Sequence, residues 1–162
     1  MRRLLPVLSI VLASAAALIP AAQAAKPKTV KAGLYDGTIS LYVGQVPPYS
    51  TKGKVALLRS QTGTNPISGS CDDGSNYRPD VDGTGPWVLK GKAPKVGKSK
   101  TYKSSAKRGD SDFSTTVKAT LKVKFSSARR AKLSLSVVET ITRQSGTATC
   151  RGKGSWRVKG SR

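Results

Sequence analysis

Between Phe113 and Phe125 the odd positions read Phe113, Thr115, Val117, Ala119, Leu121, Val123 and Phe125, while the even positions read Ser114, Thr116, Lys118, Thr120, Lys122 and Lys124. A period of two is the signature of a β-strand with one dry face and one wet face. A strand of this length cannot bury its apolar side alone, so the rest of the chain must supply strands to cover it. The chain is therefore expected to be all-β, organised around this segment.

The remaining strand signals agree. From Gly33 to Val43, residues Tyr35, Gly37, Ile39, Leu41 and Val43 share one face, and Pro47-Pro48 follows as a terminator because proline cannot donate to a ladder. Gly53 to Thr62 reads as a second strand with Val55 and Leu57 inward. The segment from Asp72 to Gly85 is built of turn formers and is expected to be an exposed loop. Trp87 and Leu89 open another strand, and Ser126 to Arg130 is a turn after the central strand. The next run carries Ala131, Leu133, Leu135, Val137 and Ile141 inward, with Glu139 as its one discord. Gln144-Ser145-Gly146 turns the chain again into Thr147 to Lys159, where Cys150, Trp156 and Val158 share a face. Consecutive strands with short turns predict an antiparallel meander. No window has helical periodicity.

Residues 1–24 have the form of an export signal: Arg2 and Arg3, an apolar run from Leu4 to Ile19, and the small-x-small site Ala22-Gln23-Ala24. The run is short for a membrane span and contains Pro6. Cleavage leaves 138 of the 162 residues. Of these, 25–32 are expected to be a mobile basic leader and 33–160 a single domain. Export places the two cysteines, Cys71 and Cys150, in an oxidising compartment, where a lone pair is most simply one disulfide. The expected architecture is an antiparallel sandwich or partly open barrel of about seven to nine strands, closed by that bond.

Several of these residues resemble a group of small secreted all-β proteins from high-GC Gram-positive bacteria. They are Gly33-x-Tyr35-x-Gly37-Thr38 opening the first strand, Cys71 followed by Gly74, the alternating central hairpin, and Cys150 with Trp156-x-x-Lys159 closing the chain. The resemblance implies the fold, the signal and the cysteine pair, and it implies no activity. One departure is visible: such proteins often carry a glycine early in the strand after the central turn, where this chain has Ala131-Lys132-Leu133.

Composition weighs against catalysis. Histidine is absent and Glu139 is the only glutamate, so the usual general base near neutral pH is missing and a serine nucleophile would have no partner but lysine. The aspartate pairs Asp72/Asp73, Asp80/Asp82 and Asp110/Asp112 lie in turn-forming sequence. They lack the alternating oxygen ligands and terminal glutamate of a calcium loop. Among lysines they should stay ionised, which does not suit a two-carboxylate hydrolase. Gly91 to Ser99 is one residue too long for a phosphate-cradling loop and contains Pro94. No metal or cofactor is expected, and the chain is not expected to be an enzyme.

The charge is the informative quantity. Lys+Arg is 29 against Asp+Glu 8, a net +21 that falls to +19 when Arg2 and Arg3 leave with the signal. A surface made only for solubility would mix both signs. Such an excess predicts attraction to anionic polymers of the cell wall or extracellular space, such as teichoic acids or acidic polysaccharides, through Lys90, Lys92, Lys95, Lys98, Lys100, Lys103, Lys118, Lys122 and Lys124. Nucleic acid is a weaker expectation, because the tyrosines do not cluster beside lysines to stack bases. The rival class is a carbohydrate- or small-ligand-binding module using Trp87 and Trp156, although both fall in registers that favour core packing.

Overall fold

A computed structural model describes residues 29–44, 54–59, 65–81, 85–110 and 112–161. The export signal, the start of the leader, Pro47-Pro48 and Asp82 lie outside the described residues. The protein is an antiparallel, nearly closed barrel-like sheet with no α-helix among the described residues. The described residues form ten strands: β1 Gly33–Asp36, β2 Ile39–Val43, β3 Lys54–Arg59, β4 Ser68–Cys71, β5 Asn76–Tyr77, β6 Val88–Lys90, β7 Ser99–Gly109, β8 Phe113–Ser127, β9 Arg130–Arg143 and β10 Gly146–Gly160. The main path runs β6-β3-β2-β1-β10-β9-β8-β7. The β4-β5 hairpin joins the same edge of β10 further along, with Cys150 opposite Cys71.

The expected central strand is β8, and its odd residues from Ala119 to Phe125 are buried in the core beside Leu133, Leu135 and Val137 of β9. Joining these two strands poses a parity problem. The apolar residues are odd-numbered on both, so partners must sum to an even number, yet Ser127 pairs with Arg130 across the two-residue turn. A bulge between Phe125 and Ser127 inserts one residue, and Phe125 then meets Ala131. The bulge therefore keeps both apolar faces on one side. No correction is needed at the next turn, because the inward residues of β10 are even-numbered and Leu133 meets Trp156 directly.

Two sequence expectations are corrected. Gly33 to Val43 is not one strand but the β1-β2 hairpin, in which Gly33 pairs with Val43 and Tyr35 with Leu41. The apolar alternation survives the turn because those partners have the same parity, and the Asp36-Gly37 dipeptide, a hairpin signal, marks the reversal. The segment after Cys71 is not wholly exposed: Tyr77, Pro79 and Val81 are buried. Gly152 of β10 makes room for Tyr77, since a Cβ there would stand 3.0 Å from the ring, while Gly154 makes room for the chain entering β4, where a Cβ would meet the Pro66 carbonyl. Between Lys90 and Phe113, where alternation assigned no element, lies an 11-residue strand, β7, whose buried ring Tyr102 is its main apolar contribution.

Closure is completed without a ladder between β6 and β7. Tyr102 Oη and Lys100 Nζ both donate to the Lys92 carbonyl, at 2.8 and 3.0 Å, and Gly97 N–H donates to the Phe125 carbonyl. Burial pushes the Tyr102 phenol up to about 12. At the entry to β1, Val30 packs against the core, and the Tyr35 hydroxyl donates to the carbonyls of Lys31 and Ala128.

Candidate functional site

The strand registers determine which cations stand together. In β7 to β10 the inward residues fill the barrel, so the outward ones follow by alternation. These are Lys103 and Lys107 on β7; Lys118, Lys122 and Lys124 on β8; Arg130 and Lys132 on β9; and Arg151, Lys153, Arg157 and Lys159 on β10. All eleven are exposed, and no carboxylate occupies an outward position on these four strands. Lys132 lies directly between Lys124 and Arg157, and Arg130 pairs with Lys159. Like charges opposite one another across a ladder destabilise it, and the acid that register sets against these cations is exposed Asp36 of β1, opposite Lys159.

Between the cations the face is recessed. Ser134, Ser136 and Val138 on β9 are half-buried, flanked by the longer side chains of β8 and β10. One open depression of about 510 Å³ is bounded by Thr120, Lys122, Ser134, Ser136, Lys153 and Ser155. A second, of about 610 Å³, lies toward the β8-β9 turn among Lys124, Arg130, Lys132, Arg157 and Lys159, with Asp36 of β1 at its rim.

Of the nine lysines singled out in the sequence, Lys103, Lys118, Lys122 and Lys124 belong to this face. The other five do not. Lys90 lies on β6 at the far end of the strand path, and Lys92, Lys95 and Lys98 stand on the connection at 91–98. Lys100 has inward parity; its ammonium is held by the Lys92 carbonyl and lies 5.1 Å from the centroid of the Tyr102 ring. Sequence density gathered these residues, whereas hairpin register brings in Lys107, Arg130, Lys132, Arg151, Lys153, Arg157 and Lys159 instead. The turn at Gln144-Ser145-Gly146 was the usable signal, because it sets which residues of β9 and β10 face each other.

The aromatic patch is also corrected. Trp87 is 3% exposed and Trp156 8%, so neither ring offers a surface platform. Trp156 is fixed by its indole N–H, which donates to the Ile39 carbonyl at 2.7 Å inside the barrel wall. Trp87, on a single 3₁₀ turn at Gly85–Trp87, instead walls a cavity of about 250 Å³ with Pro79, Asp80, Arg108, Phe113 and Glu139. Glu139 is inward because it keeps the parity of Val137, and Tyr77 Oη donates to its Oε2 at 2.7 Å. Burial, reinforced by that carboxylate, pushes the Tyr77 phenol up. The discord in the β9 pattern marked this cavity.

The aspartates shape turns, as their sequence context suggests. The Asp73 carboxylate accepts from Ser75 N–H and Oγ–H, and that of Asp110 accepts from the N–H groups of Asp112 and Phe113. Those bonds hold both carboxyls below the usual carboxylate range. Asp72 accepts from Thr149 N–H, tying the β4-β5 turn to β10 beside the Cys71–Cys150 disulfide. No helix among the described residues is long and apolar enough to cross a membrane. No protein-family model, curated protein or solved structure matches the chain significantly.

Proposed function

We propose that this is a non-enzymatic, exported protein that associates with anionic envelope or extracellular polymers through the outward face of β7 to β10. The observation that carries the reading is the set of eleven exposed cations on that face with no outward carboxylate among them. Lysine outnumbers arginine by 18 to 9 after residue 24, which suits point-charge contact with many phosphates or carboxylates better than bidentate recognition of one. The disulfide agrees with an oxidising compartment.

The test is binding of the oxidised protein to anionic and neutral glycopolymers over a salt series. Anionic polymers are expected to bind with log affinity falling linearly against log salt, as in counterion release from nucleic acids. Equal binding of neutral polymers, or none of anionic ones at low salt, refutes the reading.

The cavity beside Trp87 supports a second reading, a small-ligand module. Its volume of about 250 Å³ lies below the range usual for ligand sites, which is why this reading stands second. It requires a neutral or zwitterionic compound whose binding changes Trp87 fluorescence, survives high salt and is lost in Glu139→Ala.

A further inference from the structure

The outward cations are ordered along β9 as well as numerous. Five successive outward positions of β9, from Arg130 to Val138, each define a level across three strands. The first has Lys159, Arg130 and Ser127, with Asp36 of β1 on the far side of Lys159, and the second has Arg157, Lys132 and Lys124. The third has Lys122 beside Ser134 and Ser155, the fourth Lys153 beside Ser136 and Thr120, and the fifth Arg151 and Lys118 flanking Val138. Every level thus holds at least one cation. Beyond them lies the all-threonine row of Thr149, Thr140 and Thr116.

Levels two residues apart on a strand are separated by about 6.8 Å, so the five span about 27 Å. The two depressions follow one another along this line. At the third to fifth levels the cations come from β8 or β10, columns about 10 Å apart at the backbone, and half-buried Ser134, Ser136 and Val138 of β9 form the floor for one narrow chain. At the first two levels exposed Arg130 and Lys132 rise from β9 itself.

From this we infer that the face binds a single linear phosphodiester-linked polyol, laid along β9 with one phosphate at each level. The inference rests on the polyanion reading above and adds the chemistry and direction of the polymer. Two residues of extended peptide contain six backbone bonds, and a phosphodiester of a three-carbon polyol also repeats after six bonds. Its phosphates therefore recur at about the same 6.8 Å. The hydroxyls of Ser134, Ser136 and Ser155 can donate to phosphate oxygens between the ammonium contacts. A single-stranded nucleic acid has the same backbone period, but none of the outward residues of the four strands is aromatic, so its bases would have no ring to stack on.

The experiment uses the full oxidised chain and glycerol phosphate oligomers of graded length, with an oligonucleotide of equal phosphate number alongside. Affinity is expected to climb steeply up to about five repeats and then flatten, since a longer chain leaves the cation levels. Lys122→Gln with Lys153→Gln should lower the log–log salt slope by about 1.4 and weaken binding about fivefold to tenfold at low salt. Lys92→Gln with Lys95→Gln removes the same net charge away from the face and should leave the slope unchanged. Equal losses in the two pairs overturn the track and the assignment to this face, while sparing polyanion association as such. Tighter binding of the oligonucleotide overturns the polyol assignment. Absence of binding to any polyanion at low salt overturns both the track and the reading beneath it.

Discussion

The long meander β7 to β10 and the short-stranded remainder reach order by different means. In the meander, strands of 11 to 15 residues are joined by tight turns, and each strand pairs with its sequence neighbour along nearly its whole length. The other strands are two to six residues long, and several are positioned by single contacts distant in sequence. Tyr77 reaches Glu139, Trp156 reaches the Ile39 carbonyl, Asp72 reaches Thr149 N–H, and Cys71 is bonded to Cys150. The meander thus sets its own register, while much of the remainder is pinned to it. The difference separates a face built by local periodicity from a covering built by anchors.

The strongest way to break the first kind of order is to delete Ser134 from the middle of β9. Leu133 and Leu135 would then be neighbours and could not both face inward, so either Ala131 and Leu133 or Leu135 and Val137 would turn to water while the ladders to both β8 and β10 slip by one residue. Exposing Leu135 and Val137 would cost about 3 to 6 kcal/mol before the lost ladder pairing is added, comparable to the whole stability of a small domain. The variant is expected to lack a cooperative unfolding transition by circular dichroism, whereas Ser134→Ala, which keeps the residue count, and deletion of Ser126, which removes the bulge and leaves Phe125 opposite Ala131, should melt near the parent temperature.

Anchors are next in size. The disulfide closes a sequence separation of 79 residues, for which chain-entropy reasoning gives about 4 to 5 kcal/mol. Cys71→Ser with Cys150→Ser should lower the melting temperature by many degrees. If the two regions differ as described, hydrogen exchange will show protection lost first in β4 and β5 and last in β8 and β9. Uniform loss would make the contrast one of length alone.

This division also explains how much could be read from sequence. β8, β9 and β10 were legible because burial on one side of a long sheet writes a period of two into the chain. β4 was not, since Ser68-Gly69-Ser70-Cys71 presents no alternation and owes its place to pairing with β10. The β1-β2 turn was hidden by conserved parity, although Asp36-Gly37 announced it. At the candidate site, Lys118, Lys122 and Lys124 could be found from strand period alone. Arg157 could not be joined to Lys124 without both registers, one of which depends on the bulge. The burial of Trp87 agrees with the register its apolar neighbours suggested, but the cavity it shares with Glu139 depends on the chain returning across the barrel, which no local pattern encodes.

A smaller break tests one anchor by itself. Tyr77→Phe removes the hydroxyl donated to Glu139 and leaves that half-buried carboxylate short of a partner, which should cost about 1 to 2 kcal/mol in urea denaturation. Pairing it with Glu139→Gln in a double-mutant cycle isolates their coupling. A coupling near zero would show that the disulfide and packing alone hold β5 in place.

The smallest effect concerns the seam, where Tyr102 joins β7 to the connection at 91–98. Its folded pKa, raised by burial to about 12, exceeds the unfolded value near 10, so the folded state keeps the proton longer. This contribution is fully present below the unfolded pKa and is lost as pH rises toward the folded one, amounting to about 1 kcal/mol by about pH 11. The informative quantity is the difference between parent and Tyr102→Phe, which isolates this phenol from every other pH-dependent contribution. The variant should be less stable at neutral pH for want of the bond to the Lys92 carbonyl, and the gap should narrow between pH 10 and about 12. A gap that stays constant over this range would mean that the phenol titrates alike in both states, and that solvent reaches the seam which the barrel uses in place of a ladder.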